Sequence, residues 1–193
     1  MLAVAHRAGN SLTGLRAALA AGVDLVEADV WLRRDALEVR HGRARRGAAA
    51  PLLHEILAAA GDEPRLLLDL KGRSAGLAAR VAEAVRDGPP VAVCTKQWAM
   101  LDAFAGDPNV RRILSAANRL QLARLRARLR RAPADGVSVR LRLLTAPVVA
   151  ELRRATDVVL AWPVDTAADL ARAERLGVTG VVGKDLSLLS RLA

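Results

Sequence analysis

The chain has 193 residues, 52% of them hydrophobic and 26% charged, enough for one domain with a full core and unlike a disordered segment. No uncharged apolar run is long enough to cross a bilayer, and a single cysteine, Cys94, excludes an intrachain disulfide or a cysteine zinc cluster. The formal charge of +10 calls for an anionic partner, whether a phosphorylated substrate, a membrane surface or nucleic acid. Three Trp, one Phe and no Tyr argue against a platform for stacking bases. The start, Met1-Leu2-Ala3-Val4-Ala5-His6-Arg7, has neither the basic opening nor the length of a signal peptide, so a cytoplasmic location is expected.

In chain order, strand and helix patterns alternate. Leu2–Ala5 reads as a short apolar strand ending at His6-Arg7, and Ser11–Ala21 has helical spacing that stops at Gly22. A strand over 24–30 follows, then a short alternating one over 37–41. Pro51 is placed to open a helix through Ala60. Strands are expected at 66–72, 91–95, 110–115, 136–139, 157–162 and 178–182. Between them, helices are expected at 75–86, 98–105, 119–131, 147–155 and 167–176. Strict alternation implies a parallel sheet covered by helices, and eight units favour closure. The expected fold is a compact α/β (β/α)8 TIM barrel with short loops and an extra short strand after strand two, one domain over 1–193. No Gly-rich nucleotide loop is present to support a different α/β reading.

The stretch Val23–Val30 organises the rest. It is aliphatic and strand-like, yet holds Glu27 and Asp29 two residues apart, on one face of a strand. Buried like charges are expensive unless something positive sits among them. A hard divalent ion such as Mg²⁺ or Ca²⁺ accepts such ligands, and an ion pair with nearby arginines is the alternative. In a barrel, function gathers at the carboxyl ends of the strands. There the sequence puts His6-Arg7, Glu27, Asp29, His41, Asp69, Lys71 and Trp162. Lys96 and Lys184 fall near strand ends and add positive potential to the mouth. His54, next to Glu55 in a helix, reads as surface, and Cys94 as a small buried hydrophobe. The arginines of 119–131 read as a solvated helix face, so nucleic-acid binding is not expected.

These residues resemble the glycerophosphodiester phosphodiesterase family of TIM barrels. The resemblance rests on His6-Arg7, Glu27-Ala28-Asp29, His41, Asp69-Leu70-Lys71, Trp162-Pro163-Val164-Asp165 and Gly177–Val182, in order and over almost the whole chain. It implies one divalent cation, Mg²⁺ or Ca²⁺, held by Glu27, Asp29 and Asp69. It implies His6 and His41 as the acid/base pair, Arg7 and Lys71 on the phosphate, and Trp162 against the glycerol carbons. The implied activity is hydrolysis of a small-molecule glycerophosphodiester to glycerol 3-phosphate and an alcohol, with either the neighbouring glycerol hydroxyl or water as nucleophile. Two further readings stay open: a phospholipase D-like enzyme acting on lysophospholipids with peripheral membrane contact, and a non-catalytic phosphate- or RNA-binding barrel. The chain departs from the family pattern in its short loop Ala8-Gly9-Asn10-Ser11, which lacks the usual Glu. It also has Asp69 where Glu is common, Gly42 where Asp follows the second His, and Gly183-Lys184 in place of acidic residues.

Overall fold

The computed structural model of the chain describes residues 1–42, 49–62, 65–132 and 134–192. The strands are β1 (Leu2–Ala5), β2 (Leu25–Arg33), β3 (Ala36–Val39), β4 (Leu66–Leu70), β5 (Val91–Thr95), β6 (Val110–Ala116), β7 (Gly136–Arg140), β8 (Val159–Trp162) and β9 (Gly180–Gly183). All except β3 pair in parallel, in the order β1-β9-β8-β7-β6-β5-β4-β2, and β2 returns to β1. The sheet is therefore a closed eight-stranded barrel. Around it pack α1 (Leu12–Ala20), α2 (Leu53–Ala60), α3 (Ala75–Val85), α4 (Arg119–Leu129), α5 (Ala146–Arg153), α6 (Ala167–Leu176) and the short α7 (Leu186–Leu189).

Local chemistry explains the element ends. Ser11 accepts from the Gly14 amide at 3.0 Å and starts α1, and Thr166 does the same for Asp169 at the start of α6. Gly177, at φ 75°, closes α6 in the left-handed conformation that glycine adopts without strain. Three expectations are corrected. The helix after Pro51 begins at Leu53, because the Pro51 carbonyl is taken by the Val39 amide and the Glu55 carboxylate reaches back to the Leu52 amide. The segment Trp98–Phe104 is a 3-10 helix, not an α-helix. The extra strand ends at Val39, and β2 runs on to Arg33, because the two form an antiparallel hairpin rising above the rim. Its two-residue tip, Arg34-Asp35, has both residues at positive φ and is held by Arg80, whose guanidinium bonds the Asp35 carboxylate at 2.9 Å.

Residues alternate between two cores. The larger lies between the barrel and its helices, and the smaller fills the barrel itself with Val4, Leu67, Ala92, Cys94, Ile113, Leu160 and Val182. The strand period of two carries each inward face upward from this apolar floor to the carboxyl rim, where its side chains become polar.

Candidate active site

The rim is shaped by the turn after β1. Arg7 sits at φ 62°, unusual for a side chain with a Cβ, and this aims its amide at Glu27 Oε2, 2.6 Å away. The following turn, Ala8–Asn10, lies directly on β2: a Cβ on Gly9 would sit 2.8 Å from that of Ala28 and 3.0 Å from the Glu27 carbonyl. Only glycine allows that approach. It brings Asn10 against Asp29, where the two residues bond reciprocally: Asn10 Nδ2 donates to Asp29 Oδ2 at 2.9 Å, and the Asp29 amide donates to Asn10 Oδ1 at 2.8 Å.

Glu27 and Asp29 are 4% and 0% exposed. Asp29 and Asp69 are register partners on the adjacent strands β2 and β4, so their side chains stand abreast. One carboxylate oxygen from each of Glu27, Asp29 and Asp69 lies within 4.8 Å of the others. Lys71 supplies the nearest positive charge, with Nζ 2.5 Å from Asp29 Oδ1 and in contact with Asp69 Oδ2. Burial, then Asp29 and Asp69, push the Glu27 carboxyl well above its ordinary range. Burial also raises Asp69, although Lys71 opposes it. Burial likewise works against the Asp29 carboxylate, but Lys71 and the Asn10 hydrogen bond outweigh it and lower its pKa. Lys71 itself is raised by Asp69, Asp29 and Glu27 against its own desolvation.

His6 follows β1, and its amide donates to the Gly183 carbonyl at 2.6 Å. Burial first, then Arg7 and Lys184, lower its pKa to about 4, against the pull of Asp29 and Asp165, so the ring is neutral near pH 7. Its Nδ1 is buried with no hydrogen-bond partner. His41 lies two residues beyond the extra strand it was expected to end. β3 descends antiparallel from the hairpin tip, the Arg40 amide bonds the Asp29 carbonyl at 2.9 Å, and His41 lands just beyond. Its Nδ1 lies 3.2 Å from Asp29 Oδ2, while its side chain is 59% exposed.

His6, Arg7, Glu27, Asp69, Lys71 and Trp162 line one cavity of about 90 Å³ in the mouth of the barrel. Asp29 lies behind them, within reach of Lys71, and His41 stands at the outer edge rather than in the lining. The structure thus brings together all eight side chains the sequence singled out. The far wall carries Lys96, which the sequence placed near the mouth, and Ser115 and Ser138, which it left unassigned, with Cys94 beneath them. Cys94 is buried, as expected, but its thiol faces Asp69, and burial with that carboxylate pushes its pKa well up. Asn10 was also left without a role.

The donors suit a hard divalent cation. They are three carboxylates from two adjacent strands, and one of their oxygens, the buried Asp29 Oδ1, meets Lys71 in an ionic contact without hydrogen-bond geometry. What fold and site define is thus a (β/α)8 barrel with a carboxylate cluster, a lysine, an arginine and two imidazoles at the carboxyl rim.

No protein-family model and no curated protein sequence matches the chain. Solved structures do. A protein of Silicibacter pomeroyi described as a glycerophosphoryl diester phosphodiesterase is 21% identical with a TM-score of 0.85, covering 100% of this chain and 92% of that one. The glycerophosphodiester phosphodiesterase of Thermotoga maritima is 16% identical with a TM-score of 0.86, covering 100% and 99%. A phosphodiesterase of Oleispira antarctica, crystallised with its product sn-glycerol-3-phosphate, is 17% identical with a TM-score of 0.82, covering 100% and 96%. The chain shares the barrel fold of these enzymes over its whole length. No helix among the described residues is long and apolar enough to cross a membrane.

Proposed function

We propose that this chain is a phosphoric diester hydrolase that cleaves glycerophosphodiesters to glycerol 3-phosphate and an alcohol. The observation that carries the reading is the carboxylate triad, Glu27, Asp29 and Asp69, gathered within 4.8 Å beside a half-buried, neutral imidazole. A protein gains nothing in stability from crowding three acids in an apolar barrel, so the cluster serves binding. Glu27, Asp29 and Asp69 would hold one divalent cation, Mg²⁺ or Ca²⁺. Such an ion supplies Lewis-acid neutralisation of charge on the non-bridging phosphate oxygens.

The chain's own groups provide the rest. His6, neutral at working pH and in the cavity wall, accepts a proton from the nucleophile, which is water or the neighbouring glycerol hydroxyl. His41 directs Nδ1 at Asp29, and with both ring nitrogens protonated its Nε2–H gives a proton to the leaving alkoxide. Arg7 and Lys71 bring positive charge to the phosphate, and Trp162 in the cavity wall offers apolar contact to the substrate's carbons. Asn10 and the Arg7 amide hold Asp29 and Glu27 in place.

The test is release of glycerol 3-phosphate from a panel of glycerophosphodiesters by the purified protein, with Mg²⁺ or Ca²⁺ and with EDTA. Cation-dependent release that falls by about 10²-fold or more in His6→Ala and His41→Ala is expected. No release from any diester with either cation would overturn the reading.

A further inference from the structure

The mouth of the barrel has two unlike arcs. β1, β2 and β4 contribute His6, Arg7, Glu27, Asp29, Asp69 and Lys71. Across the cavity, the ends of β5, β6, β7 and β8 contribute Lys96, Ser115, Ser138 and Trp162 to the lining, with Arg140 beside Trp162 at the end of β7, and no acid from this arc lines the cavity. Arg140 and Trp162 are register partners on β7 and β8. The Arg140 guanidinium lies 5.8 Å from the centre of the Trp162 ring, and Lys96 Nζ lies 5.3 Å from it. The Trp162 Nε1–H is buried without an acceptor.

The charges of the two arcs are treated differently. Arg7 and Lys71 are matched by Asp29 and Asp69. Neither Lys96 nor Arg140 makes an ion pair with a carboxylate among the described residues. A diester phosphate carries a single negative charge, which the first arc is already equipped to receive. Two cations without an ion pair and an unsatisfied N–H on the opposite wall suit a second anionic group from the ligand. The same geometry works against a cationic alcohol. An aromatic face at such a mouth would ordinarily attract a quaternary ammonium, but this ring already has two cations over it, and a third would be repelled.

We propose that Lys96 and Arg140 form an anion subsite around Trp162, selecting glycerophosphodiesters whose alcohol bears a phosphate or carboxylate over those ending in choline. The inference rests on the hydrolase reading and names its substrate class. The substrate lies across the mouth, with its diester on the β1–β2–β4 arc and its terminal anion on the β5–β8 arc.

Three diesters test this: glycerophosphocholine, glycerophosphoglycerol, and glycerophosphoglycerol carrying a terminal phosphate. The last two differ only in the second anion. In the native protein, kcat/KM is expected to be about tenfold or more higher for the phosphate-ended diester than for its neutral partner, with choline lowest. The preference should shrink as salt is raised. In the double variant Lys96→Gln/Arg140→Gln the ratio should fall toward one through KM for the phosphate-ended diester, and Lys96→Arg should restore most of it. Calorimetric binding of the same three compounds gives a readout independent of turnover and shows that each variant is folded. Equal use of the three diesters, a preference for choline, or a phosphate preference that survives the double variant overturns the subsite. Failure to hydrolyse any diester, with tighter binding of the phosphate-ended one that the double variant abolishes, removes the hydrolase reading and leaves the subsite standing.

Discussion

The barrel interior contrasts two layers built on the same strands. The floor, including Val4, Leu67, Ile113 and Leu160, is apolar and closed. Two residues further along, the same inward faces present Asp69 above Leu67, Ser115 above Ile113 and Trp162 above Leu160. The backbone is equally regular in both layers, so the difference lies in the side chains alone. The floor gives stability by removing apolar surface from water, while the upper layer spends some of it by burying like charges. This layering separates what keeps the barrel closed from what acts, and substitutions in the two layers should fail in different ways.

The largest effect is expected from Glu27→Gln, which keeps an acceptor for the Arg7 amide but removes one of three crowded charges. Hydrolysis should fall to background, and thermal stability in EDTA should hold or rise. In the native protein, Mg²⁺ or Ca²⁺ at 100 times its Kd should add about 2.7 kcal/mol of stability, and the variant should lose that gain in the same melting experiment. Loss of stability in EDTA would mean the carboxylate supports the fold instead.

His6→Ala should cost about 10²- to 10⁴-fold in kcat, the usual contribution of a general base, with little change in melting temperature. On the floor the pattern reverses. Leu160→Ala, at a position 1% exposed and outside the cavity lining, should lose about 2–5 kcal/mol in denaturant unfolding while the folded fraction keeps its kcat. The smallest effect should come from Asn10→Ala, which frees Asp29 Oδ2 from a 2.9 Å hydrogen bond. A residue that orients a metal-binding carboxylate typically contributes about 10- to 100-fold in cation affinity or activity, and titration of Mg²⁺ or Ca²⁺ by calorimetry would measure it.

The parts of the site legible in the sequence are those fixed within one strand. Glu27 and Asp29, or Asp69 and Lys71, share a face because the strand period is two, and that holds whatever surrounds them. Asn10 was not legible as a site residue, since its role depends on Gly9 letting a turn settle on β2. The way His41 reaches the rim was not legible for a similar reason. Nothing in residues 37–41 says that this strand runs antiparallel and reaches the rim from above. Lys96 could be placed near the mouth from its strand end, but its position over Trp162 depends on how the two strands between them, β6 and β7, curve around the barrel.

By itself the sequence determined the alternation of strands and helices, and with it closure into eight units, because hydrophobic periodicity is a local property of the chain. It also determined which strand ends carry acids, imidazoles and cations. Only the tertiary structure decided which of these meet. The register between β2 and β4 sets Asp29 beside Asp69, and barrel closure sets Lys96 and Arg140 across from them. Distances between strands follow from hydrogen-bond register and the curvature of the sheet, and neither is written in any one segment.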